Sequence, residues 1–165
     1  MSIGGFNACE IWDSPLDRFA GIIGAALFQK GTSMIESTTQ AIAAMNNAKL
    51  PENERADGVH YLRDNPSVEG NTALVAALED DDHGIRYAAS SALAYLGSQA
   101  MPPLLDALAK PDNSKMLRDG AHRVLTENSS SQVRASSGEL LAALKGSQAS
   151  ITTMEAAIHL MATFS

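Results

Sequence analysis

Two apolar patterns alternate along the chain and keep one phase over most of its length. In the first, residues at helical spacing form short groups: Ala41, Ile42 and Met45; Leu74 and Leu78; Leu104, Leu105 and Leu108; Leu140, Leu141 and Leu144. Each group is followed, 8 to 10 residues after its last member, by a second pattern opening on an anchor residue. Arg86, Ala89 and Leu93 define it: an arginine, a small residue three later, an apolar residue seven later. Arg55, Gly58 and Leu62 repeat it, as do Arg118, Ala121 and Leu125, while Thr153, Ala156 and Leu160 keep it with the arginine lost. The anchors lie 31, 32 and 35 residues apart. Two independent patterns in one phase through four units define an internal repeat of helix, short turn, helix.

The pattern predicts first helices over 33–47, 71–78, 102–109 and 131–144, and second helices over 54–64, 84–96, 114–127 and 150–162. Pro102 and Pro103 suit a helix start, where a missing N–H removes no intrahelical bond. Gly97 suits a helix end and Pro66 a break, and the links are rich in Asn, Asp, Ser, Gly and Pro. A further helix is expected over 14–28, carried by Leu16, Phe19, Ile22, Ile23, Leu27 and Phe28. The chain therefore divides into a segment 1–32 with a capping or docking helix and a repeat region 33–165. The units of that region fall at about 33–66, 67–98, 99–128 and 129–165.

The run from Leu74 through Asp80 to Asp82, Ile85-Arg86, Ala88-Ala89, Ala92-Leu93 and Leu96-Gly97 resembles the HEAT-like repeat, in the short form named after phycobilisome lyases. The resemblance is close over 71–97, fair over 102–128 and weak in the outer units. It implies an all-α fold, a right-handed α-α superhelix of about four hairpins plus the N-terminal helix. It also implies that Asp82 with Arg55, Arg86 and Arg118 form a structural polar ladder between units. The fourth unit, lacking both residue types at its anchor, departs from that pattern. The signatures of tetratricopeptide and ankyrin repeats are absent.

Composition agrees with helix over strand: 45 % of residues are apolar but only 5 % aromatic. The formal charge of −7, with 12 dispersed Lys and Arg, argues against nucleic acid as partner. The apolar stretch 20–28 follows Glu10, Asp13 and Asp17 and lacks the basic flank of a signal peptide. At about nine residues it falls well short of the roughly 20 a membrane span needs. One cysteine, Cys9, allows no internal disulfide. A soluble, cytoplasmic protein is the expectation, with neither membrane nor nucleic acid as partner.

The chemistry of sites is sparse. His60, His83, His122 and His159 fall in different units, without the pairing that sets metal ligands on one helix face. Asp80 to Asp82 beside His83 read as a solvated turn with a helix cap. Neither a nucleophile elbow nor a phosphate loop is present. The expectation is a binding module with no cofactor, no metal and no catalytic residues. In such repeats the second helices line a concave face. Helical spacing turns outward Ala56, Val59, His60 and Arg63; then Tyr87, Ser90, Ser91 and Ala94; then Asp119, His122, Arg123 and Thr126; then Met154, Ala157, Ile158 and Met161. From these, His60, Arg63, Tyr87, Ser91, His122, Arg123, Met154, Ile158 and Met161 are the candidates for contact with a protein partner. The final helix and helix 14–28 are apolar almost all round, so association of copies through an end is also expected. The alternative is an accessory or catalytic protein resembling bilin lyases.

Overall fold

In the computed structural model, residues 35–146 and 148–164 are described. The expected helix 14–28, Cys9 and the stretch 20–28 lie outside the described residues. Every regular element among the described residues is a helix. We number them α1 (Thr38–Met45), α2 (Glu52–Asp64), α3 (Val68–Ala76), α4 (His83–Leu96), α5 (Met101–Leu108), α6 (Lys115–Thr126), α7 (Ser131–Ser136), α8 (Gly138–Ala143) and α9 (Ala149–Phe164).

Helix starts follow the polar residues that precede them. Ser37, Ser67, Ser114 and Ser130 each accept a hydrogen bond from a first-turn N–H, and the Asp82 carboxylate accepts one from the Gly84 N–H at 2.7 Å. Pro51 precedes α2, whose first turn holds Glu52 and Glu54 and whose last holds Arg63, in keeping with the helix dipole. α3 tightens into a 3-10 turn, Ala77–Glu79, before the acidic link. At the end of α4 only a residue at positive φ can continue the chain into the next 3-10 turn, and Gly97 adopts φ 66°.

α1 packs against α2, α2 against α4 and α4 against α6, while α1 meets α3 and α3 meets α5. First helices therefore neighbour first helices, and second helices neighbour second helices. Between them Met45, Leu62, Leu74, Leu78, Ile85, Leu93, Leu104, Leu108 and Leu125 are fully buried. The small residue three after each arginine marks where helices come closest. Ala89 and Ala121 are wholly buried, and a Cβ on Gly58 would lie 2.5 Å from the Ala41 carbonyl oxygen of α1.

The last hairpin differs from the sequence expectation in two respects. The single helix expected over 131–144 is two. Ser137 is fully buried and its hydroxyl donates to the Val133 carbonyl at 2.5 Å, competing with the backbone ladder, and Gly138 follows it. The layers are also entered in reverse: α7 meets α6, while α9 packs on α5 and α8. Thr153 of α9 is accordingly no anchor. It is buried, and its hydroxyl has no hydrogen-bond partner among the described residues.

The two glycines give opposite expectations. Gly58→Ala forces a methyl against backbone that cannot yield, and should destabilise by about 1–3 kcal/mol in urea unfolding. Gly138→Ala, with nothing within 4 Å of the added carbon, should be neutral or stabilise by about 0.5–1 kcal/mol.

Candidate functional site

Each second helix places its arginine four residues after the cap, where the side chain turns back to the link it has just left. Arg55 Nε donates to the Met45 carbonyl at 2.7 Å, and its Nη2 meets Asp80 Oδ2 at 2.5 Å in the following unit. Arg86 Nη1 donates to the carbonyls of Asp80 and Asp81 at 2.6 and 2.9 Å. Arg118 Nη1 reaches the Asn113 backbone carbonyl at 2.5 Å and its side-chain oxygen at 2.8 Å. A fourth case was missed by the sequence reading: Arg134 donates to the Asn128 carbonyl. Its signal was present, since Val133-Arg134 follows the cap Ser130 as Ile85-Arg86 follows Asp82. It stands only 16 residues after Arg118, half the spacing of the other anchors.

These contacts satisfy carbonyls at the ends of the preceding elements, which would otherwise be left without donors. Arg55 is the most deeply placed at 5 % exposure, and its ion pair joins unit one to unit two. The pair runs through Asp80 rather than the expected Asp82, whose carboxylate accepts from the Gly84 N–H as the cap of α4.

Because α2, α4 and α6 lie side by side, their outer positions form one face. His60, Arg63, Tyr87 and Ser91 come together with Tyr95 around a cleft of about 400 Å³ between α2 and α4. A second cleft, of about 240 Å³, lies between α4 and α6 and is lined by His83, Arg86, Tyr87, Met116, Asp119 and Arg123 among others. Tyr87 borders both and is 51 % exposed.

Two arginine–tyrosine stacks brace this face. The Arg123 guanidinium carbon lies 3.6 Å from the Tyr87 ring centroid, and that of Arg63 lies 5.6 Å from Tyr95. Desolvation opposes the charge on Arg123, yet Tyr87 and Glu127 outweigh it and raise its pKa. Arg63 donates to Asp64 at 2.8 Å, which raises the arginine and holds the carboxylate below its usual value. Tyr95 was absent from the outward residues read from the sequence. Its signal is the spacing Tyr87, Ser91, Tyr95, which sets all three on one stripe of α4.

Other outward expectations are corrected. Val59, Ser90 and Ala94 are buried, because α2 and α4 are flanked on both sides and bury a broader stripe than an isolated helix pair would. His122 is half-buried and lines neither cleft, its carbonyl accepting from the Thr126 hydroxyl at 2.7 Å. Met154, Ile158 and Met161 do not extend the row beyond α6, since α9 packs on α5 and α8; Ala157 on the same helix is buried. Ile151 and Ile158 of α9 are each 54 % exposed.

The first-helix side carries a cleft of its own, about 520 Å³ between α3 and α5, floored by Val75, Ala76 and Leu117 and edged by Glu79, Asp106 and Lys110. Among the described residues, no three His, Cys, Asp or Glu side chains gather as a metal site would require, and no helix is long and apolar enough to cross a membrane. Compared with protein-family models, curated proteins and solved structures, the chain matches none.

Burial separates the ion pairs by their effect. Arg55→Ala strands the Asp80 carboxylate and the Met45 carbonyl, and should lower unfolding free energy by about 3–5 kcal/mol. Lys115→Ala removes an exposed pair with Asp119 on one helix turn, and should change it by less than about 1 kcal/mol. Chemical denaturation of the two variants side by side checks the ordering.

Proposed function

We propose that this chain is a HEAT-like helical-repeat module that binds a protein partner on the face made by α2, α4 and α6. One observation carries the reading: two adjoining clefts share Tyr87, and the stacked guanidiniums of Arg63 and Arg123 hold the tyrosines of that face in place. Tyrosine and arginine are favoured at the energetic centres of interfaces, where a ring offers large contact area with few torsions to fix. Bracing the rings before binding reduces the entropy lost on association.

The supporting architecture is the stacking of like helices. Paired hairpins laid side by side turn equivalent helices to one surface, which is how solenoid repeats gather short outward stretches into a continuous platform. A superhelical curve of that platform, and a concave side formed by the second helices, belong to this reading.

Capture from an extract of the producing cells tests it. A double variant, Tyr87→Ala and Arg123→Ala, should retain its helical circular dichroism. It should bind the captured partner at least about 30-fold more weakly, as expected when interface hot spots worth about 2 kcal/mol or more are removed. A partner list and affinity unchanged from the parent chain would refute the assignment of this face.

A further inference from the structure

We propose that the cleft between α4 and α6 receives a carboxylate side chain from an acidic segment of the partner. The inference rests on the interaction face proposed above and adds the chemistry of one of its two clefts.

The charged side chains that line this cleft, Arg86 and Arg123 against Asp119, do not balance. Lys115 holds Asp119 at 2.6 Å, and Arg123 holds Glu127 at 3.1 Å. Arg86 lines the same cleft and makes no ion pair among the described residues. Its Nη1 is committed to the Asp80 and Asp81 carbonyls, which fixes the plane of the guanidinium. Nε and Nη2 have no hydrogen-bond partner among the described residues. A planar cation already anchored on one side and open on the other is preorganised for the oxygens of a carboxylate.

The surroundings favour such a group over a bulkier or apolar one. At about 240 Å³ the cleft equals about eight waters at roughly 30 Å³ each, room for one side chain. His83 and Arg123 also line it, while Leu78 and Gly120 contribute apolar wall. The chain as a whole carries −7. A guanidinium with no ion pair among the described residues is therefore a local exception to the field of the protein, and a partner must approach it closely to gain from it. Close approach suits a side chain on a docked protein segment better than a polyanion held at long range.

The test is a titration of the ¹⁵N-labelled full chain with a capped hexaglutamate peptide, its hexaglutamine counterpart and sodium phosphate, at equal millimolar concentrations. Hexaglutamate should shift the amide resonances of Arg86, Tyr87 and Arg123, with at least tenfold weaker effects from hexaglutamine and from phosphate. Met116→Glu sets a competing carboxylate at the rim without touching the Arg86 contacts, and should weaken the hexaglutamate response at least tenfold. Shifts elsewhere, equal shifts from hexaglutamine, or no shifts would overturn the proposal. So would an equal response to phosphate, which would mark a site for small anions. If hexaglutamate fails while the variant that removes Tyr87 and Arg123 still loses its partner, only the carboxylate assignment falls. If that variant keeps its partner too, the interaction face falls with it.

Discussion

The arrangement depends on one polar contact, an arginine at the fourth position of a helix bonded to the carbonyls of the link before it. Those carbonyls lie at the end of one element and just ahead of another, where the regular ladder supplies no donor. Arg55, Arg86, Arg118 and Arg134 each fill that gap. The contact fixes the angle between a link and its helix, and with it the register of the small residue three positions on. Gly58, Ala89 and Ala121 then face the neighbouring helices and allow close approach. Arg55 does more than the others, since its second nitrogen reaches Asp80 and couples two units through a buried pair. Polar side chains of the links add further ties: Asn113 donates to the Leu108, Lys110 and Ser150 carbonyls, and the Ser129 hydroxyl donates to the Tyr95 carbonyl at the end of α4.

From this contact the candidate site follows by position. An arginine held to its link fixes the roll of the helix, and the roll decides which residues leave the core. On α4 it sends Tyr87, Ser91 and Tyr95 outward on one stripe. On α2 and α6 it sends Arg63 and Arg123 toward those rings. Structure and proposed recognition thus meet in neighbouring residues: Arg86 fixes the link, and Tyr87 next to it presents the ring. Substitutions on this face must be judged against both roles. Arg86 belongs to each, whereas Tyr87 has about half its surface free and can be removed at little structural loss.

Much of the helical arrangement could be read from the residues, because the signals were local and redundant. In the second and third units, leucines at helical spacing, an N-cap and a glycine or proline at the boundary all agreed. The helix bounds there differ from expectation by three residues or fewer. The fourth unit was harder. Its arginine stood half a period early, and Thr153, Ala156 and Leu160 imitated the anchor pattern on a helix that packs elsewhere. The break at Ser137 depends on a serine turning inward to bond its own helix, which composition does not reveal. The clefts were only partly legible. Helical spacing named His60, Arg63, Tyr87 and Ser91 together, but it could not tell that Val59, Ser90 and Ala94 would be covered by flanking helices. The stacking of Arg123 on Tyr87 joins two units, and sequence spacing carries no information on such a distance.

The claim that the second helices form the recognition face is tested most directly by site-specific photo-crosslinking in an extract of the producing cells. A photoreactive residue at Ser91, within the α2–α4 cleft, is compared with one at Asp106 on the opposite, first-helix side. The account predicts a discrete adduct from position 91 and none of the same mass from position 106. A discrete adduct from position 106 with none from position 91 would contradict it.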